Sequence, residues 1–183
     1  ERRATMSPPI TNANCALQLS CGVRERYRIP YNLRFNFGSR DMQITWRGVF
    51  PAATTQFKED LSIDVEATQR VVDSLIRDGV DGIIAMGTVG ENNSLDAGEK
   101  RTLLQATVEV VAGRVPVLTG VSEYDARRAS AYARDAEKLG ADGLMVLPAM
   151  VYVPTARELA HHFRTVAEAT SLPIMLYNNP PAY

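Results

Sequence analysis

The chain has 183 residues, 45% of them hydrophobic and 22% charged, and its 20 Lys+Arg against 21 Asp+Glu leave a formal net charge of -1. That length and apolar fraction suit one globular domain with a sizeable core, and the balanced charge gives no electrostatic drive toward nucleic acid or an anionic membrane. No apolar run approaches the roughly 18 residues of a membrane span, and two cysteines, Cys15 and Cys21, without CxxC or HExxH spacing, imply neither a disulfide framework nor a metal site. The reading is of a cytoplasmic protein with no metal and no cofactor.

Residues 1–41 carry seven arginines, no lysine and three acids, and Pro8-Pro9 and Pro30 interrupt any helix attempted there. They read as an irregular or disordered leader. An arginine-bearing transit peptide is the other reading of the composition, but no stretch is amphipathic over a helical length. Residues 42–183 are expected to form the folded domain.

From Arg47 a pattern of short apolar runs and helical periods begins. Residues 48–55 suit a buried strand, and 63–77 place Val65, Thr68, Val71, Val72, Leu75 and Ile76 at helical spacing before Asp78-Gly79 closes the helix. A second strand over 82–87 leads to a helix capped by Asp96 and running to Val111, with Leu103, Leu104, Thr107, Val110 and Val111 inward. A third strand spans 115–120, a third helix spans 125–139 and stops at Gly140, and a fourth strand spans 143–148. A fourth helix over 155–170 and a fifth strand over 173–178 complete the series.

Strands that are apolar without alternation need cover on both faces, so the pattern predicts a parallel sheet wrapped by helices. Repetition of βα units leaves an open doubly wound sheet or a (β/α)8 barrel, and the lack of G-x-G-x-x-G after the first strand lowers the dinucleotide-binding option. A closed barrel takes about 250 residues. Five predicted strands and four predicted helices therefore read as a barrel of the (β/α)8 type truncated partway, and the chain is expected to be a fragment of a longer protein.

Reacting groups in such folds lie at the carboxyl ends of the strands. The end of the second strand reads Gly87-Thr-Val-Gly-Glu91, where glycines permit a sharp turn and the Thr88 and Val89 amides can cradle a carboxylate. The Thr88 hydroxyl can pass a proton. The end of the fifth strand reads Tyr177-Asn-Asn-Pro180, and a phenol exposed there can serve as a proton relay once a neighbour stabilises the phenolate. Tyr152, in the loop after the fourth strand, can instead pack against another subunit. His161 and His162 fall in the middle of a helix, away from the strand ends, and no Ser-His-Asp order fits those ends.

Residues 48–55, Gly87-Thr-Val-Gly-Glu91, Pro116-Val-Leu-Thr-Gly120 and Tyr177-Asn-Asn-Pro180 together resemble the dihydrodipicolinate synthase / N-acetylneuraminate lyase family, from about Trp46 to the last residue. The resemblance implies a (β/α)8 barrel and class I lyase chemistry on pyruvate or another small 2-oxo acid, with a lysine forming a Schiff base to the oxo carbon. It assigns Tyr177 to the proton-relaying tyrosine of a Y-N-x-P motif. Thr88 becomes the threonine that hydrogen-bonds that tyrosine, and Gly87, Thr88 and Val89 the turn that holds the substrate carboxylate. Val89 stands where many members have a second threonine, so only its amide is available. Tyr152 lies near the segment whose tyrosine reaches a neighbouring subunit's relay, although the stretch 148–154 is one residue longer here. The resemblance also implies a homo-oligomer, dimer or tetramer, in the full-length protein.

Two departures follow. Members that condense pyruvate with aspartate semialdehyde carry an arginine two residues after the motif's proline, and this chain has Ala182; losing a bidentate carboxylate partner favours an aldolase, dehydratase or deaminase subtype. The family's lysine lies on the strand after the tyrosine. Lys58, Lys100 and Lys138, the three lysines present, fall in a loop and on helices, so this chain is expected not to form the Schiff base by itself. The alternative to a lyase is a non-catalytic truncated fragment that pairs its open sheet with a partner chain.

Overall fold

The computed structural model describes residues 46–149 and 151–177. The expected leader over 1–41, with both cysteines, and the stretch 178–183 lie outside the described residues.

Four helices form where capping chemistry and apolar spacing coincide. Helix α1 (Val65–Arg77) starts where the Asp64 carboxylate accepts from the Ala67 amide at 2.8 Å. Helices α2 (Ala97–Val111) and α4 (Ala156–Ala167) each open with a reciprocal capping box, Asp96 with Glu99 and Thr155 with Glu158, and α3 (Ala126–Lys138) is capped by Asp125. Gly79 and Gly140, at φ +89° and +88°, adopt the left-handed conformation that turns the chain out of α1 and α3.

Strands β1 (Ile83–Ala85), β2 (Val117–Val121), β3 (Gly143–Val146) and β4 (Ile174–Leu176) pair in parallel in the order β1-β2-β3-β4. The expected strand over 48–55 is not a full strand: it meets β1 through one parallel bridge, Ala52 to Ile84. Ile84 donates to the Pro51 carbonyl at 3.0 Å and Ala53 to the Ile84 carbonyl at 2.9 Å. The next rung toward the amino terminus needs a donor at residue 51, and proline has none. Sequence reading thus counted five strands where the described residues form four plus this bridged segment.

The sheet separates two apolar layers. On one face Ile83, Ala85, Val117, Val121, Leu144 and Val146 pack with Val72, Leu103, Leu104, Ala133, Phe163 and Val166 from the helices. Each fully buried large aliphatic side chain contributes about 1.5–3 kcal/mol. On the other face Ile84, Leu118, Met145 and Leu147 are buried beneath Trp46, Phe50, Met175 and Tyr177. Non-alternating strands are required because both faces bury apolar side chains. Among the described residues no helix is long and apolar enough to cross a membrane.

Candidate active site

Strand β1 ends one residue earlier than its apolar run. Met86 takes φ +50°, an uncommon conformation for a side chain with a Cβ, and buries its side chain in the helix-side layer. The Met86 carbonyl then lies against β2: a Cβ on Gly120 would fall 2.1 Å from that oxygen, so only glycine permits the approach. Gly87-Thr-Val-Gly-Glu91 follows as a compact turn, closed by Glu91 donating to the Thr88 carbonyl (3.1 Å) and Asn92 to the Gly87 carbonyl (3.3 Å). Gly90 is equally confined, since a Cβ there would fall 2.8 Å from the Met86 Cα and 2.9 Å from the Ala53 carbonyl.

Two buried side chains hold the turn from opposite sides. Thr55 donates its hydroxyl to the Gly90 carbonyl at 2.7 Å. Asn92, in the short 3₁₀ turn Asn92–Ser94, donates to the carbonyls of Met86 (2.8 Å) and Gly120 (2.9 Å). Between these anchors Thr88 is exposed and Val89 is 58% exposed. Among the described residues neither the Thr88 nor the Val89 amide donates a hydrogen bond to another group. Paired free amides on a fixed backbone can bind a small anion.

Tyr177 continues the β4 ladder by donating its amide to the Val146 carbonyl at 2.9 Å. Its half-buried ring joins the layer of Ile84, Leu118, Met145 and Leu147, on the face turned away from the helices. Because all four strands are parallel, Tyr177 and the Thr88 turn lie at the same end of the sheet, the carboxyl end. No hydrogen bond joins the Tyr177 hydroxyl to Thr88, so the link that the resemblance implies between these side chains is not made in this structure. Tyr152 is 51% exposed, flanked by Val151 and Val153 at 55% and 68%, and contacts neither Thr88 nor Tyr177 through a hydrogen bond.

Sequence reasoning did not single out Asn92, nor the polar cluster behind β2. There Lys100 Nζ lies 2.7 Å from Glu123 Oε1 and 6.0 Å from the centroid of the Tyr132 ring. The Tyr132 hydroxyl shares a 2.8 Å hydrogen bond with Thr119 Oγ1, and complete burial pushes the phenol well above its ordinary range, so it remains protonated. The signal for these residues is long-range, 28 residues from Asn92 to Gly120 and 23 from Lys100 to Glu123, and local patterns do not carry it. His162 is buried on α4 with Nε2 3.0 Å from the Leu147 carbonyl, and burial pulls its imidazole below the usual range. It therefore supports the end of β3 from the helix side. Among the described residues no group of histidine, cysteine and acidic side chains is arranged to hold a metal.

The model of the dihydrodipicolinate synthetase family matches residues 45–182. A 4-hydroxy-tetrahydrodipicolinate synthase of Desulforamulus reducens is 39% identical over 132 residues, 72% of this chain and 45% of that protein. An uncharacterized DapA-like lyase of Rhizobium meliloti is 37% identical over 140 residues, 76% of this chain and 46% of that protein. Among solved structures, YagE of Escherichia coli K12, a prophage protein of the dihydrodipicolinic acid synthase family crystallised with pyruvate, superposes with a TM-score of 0.73 at 33% identity, covering 76% of this chain and 47% of that one. The chain thus spans under half the length of these relatives, and its sheet and helices correspond to part of their barrel. By sequence and by fold, it belongs to the dihydrodipicolinate synthetase family.

Proposed function

We propose that the protein is a class I Schiff-base lyase acting on pyruvate or another small 2-oxo acid, and that these residues supply its carboxylate cradle and proton relay. In this reading the free amides of Thr88 and Val89 bind the substrate carboxylate. An amine from a lysine outside Lys58, Lys100 and Lys138 adds to the oxo carbon, and water leaves to give an iminium. Loss of a proton from the neighbouring carbon, or cleavage of a bond to it, then gives an enamine, whose electrons the nitrogen has accepted. Tyr177 moves protons to and from the oxygen that departs, with Thr88 as its partner once substrate draws the two hydroxyls together. Tyr152 contributes to a neighbouring subunit's relay in a homo-oligomer.

One observation carries this reading: two unpaired amides on a doubly anchored turn at the same sheet end as a tyrosine on the inner face. The pyruvate complex of YagE supports the substrate class. Ala182, in place of a carboxylate-gripping arginine, supports an aldolase, dehydratase or deaminase over condensation with aspartate semialdehyde. Ligand-observed saturation-transfer NMR on the 183-residue chain tests the cradle, with pyruvate, acetate and acetone as probes. Signal is expected for the two carboxylates and not for acetone. Equal signal for all three, or none for pyruvate, would overturn it.

A further inference from the structure

We propose that Asn92 is the positioning residue of the 87–91 turn, fixing its backbone to the ends of two strands so that the Thr88 and Val89 amides are set before any ligand arrives. The proposal rests on the reading of that turn as the carboxylate cradle.

Asn92 is 1% exposed, and its carboxamide spends its N–H donors on two main-chain carbonyls, Met86 at the end of β1 and Gly120 in β2. Its Oδ1 is buried with no hydrogen-bond partner among the described residues. The side chain is therefore held through its donors alone, and its polar role is to supply two N–H groups to two strands. Few replacements can do this. A carboxylate of the same shape would set oxygens against oxygens, an aliphatic side chain would leave two buried carbonyls unpaired, and a single hydroxyl satisfies one carbonyl.

The Met86 carbonyl belongs to the residue whose positive φ bends the chain out of β1. The Asn92 amide also closes the turn on the Gly87 carbonyl. Side chain and backbone of one residue thus fix both the entry to the turn and its exit, while Thr55 holds Gly90. Thr88 and Val89 lie between these fixed points. Amides already in place bind an anion without a further ordering cost.

Backbone ¹⁵N relaxation on the 183-residue chain tests the proposal, with β3 as internal reference and Asn92→Ala and Asn92→Asp as variants. In the wild type, order parameters over residues 88–91 are expected to match those of β3, about 0.85, and the Asn92 side-chain NH₂ to exchange slowly. In either variant the turn is expected to fall below about 0.6 while β3 is unchanged, and pyruvate to bind at least about tenfold more weakly. A turn as ordered in a folded variant as in the wild type overturns the proposal. So does a wild-type turn already below about 0.6 or a rapidly exchanging Asn92 NH₂, which decides the matter should neither variant fold. A rigid, Asn92-dependent turn that binds no pyruvate leaves the positioning role standing and removes the cradle reading instead.

Discussion

Lys100 Nζ lies 2.7 Å from Glu123 Oε1, with the lysine side chain 6% and the glutamate side chain 15% exposed. The pair ties the first turn of α2 to the loop after β2. Removing one member leaves a charge withdrawn from water with no partner. Lys100→Met is expected to cost about 3 kcal/mol in urea denaturation, and Lys100→Met with Glu123→Leu to recover most of it. Additive losses in the double variant would show that the two side chains are not energetically coupled.

Gly120→Ala is expected to destabilise the fold by about 1–3 kcal/mol, the usual cost of overpacking. A Cβ there meets backbone, the Met86 carbonyl oxygen 2.1 Å away and its carbon at 2.8 Å, rather than a movable side chain. The β1–β2 contact must open, and the Asn92 hydrogen bonds with it. An unchanged urea midpoint would contradict the packing described at the end of β1.

His162 makes stability depend on pH in a defined direction. Burial lowers its folded-state pKa below the ordinary 6.5, so the folded state keeps the imidazole neutral while the unfolded state takes up a proton. Its contribution is complete above about pH 6.5 and declines as pH falls below that value, by at most about 1.4 kcal/mol per pH unit. Urea midpoints compared at about pH 7 and about pH 5.5 check this, with His162→Asn expected to flatten the difference. A wild type that is more stable at the lower pH because of His162 would reverse the sign.

The helices were legible because their determinants are local. Asp64, Asp96, Asp125 and Thr155 cap within three residues of themselves, and apolar spacing identifies Leu103, Leu104, Phe163 and Val166 as inward-facing. The sheet was legible in kind, since strands buried on both faces lack alternation. Two limits were misread for physical reasons that lie in pairing. Pro51 withholds the donor that would lengthen the first strand, and Met86 leaves β1 at a positive φ, with its carbonyl packed against Gly120 and held by Asn92. At the candidate site, the 87–91 turn, Tyr177 and Thr55 stand at strand ends, whereas the Thr55 hold on Gly90 and the role of Asn92 depend on contacts across 35 and 28 residues.

The lysines supply a further prediction. Lys58 lies exposed in the loop before α1, Lys138 is exposed at the end of α3, and Lys100 is engaged by Glu123, so none of the three lies on a strand. Borohydride treatment of the 183-residue chain with pyruvate is expected to leave its intact mass unchanged. A stable adduct on any of the three would require a different amine assignment.

The most direct measurement is a pyruvate titration followed through ¹H–¹⁵N spectra of the 183-residue chain. Saturable shifts are expected at the Thr88 and Val89 amides, with smaller ones at Tyr177, and they should vanish when acetone replaces pyruvate. Saturable shifts elsewhere with Thr88 and Val89 unmoved would contradict a carboxylate cradle in this turn.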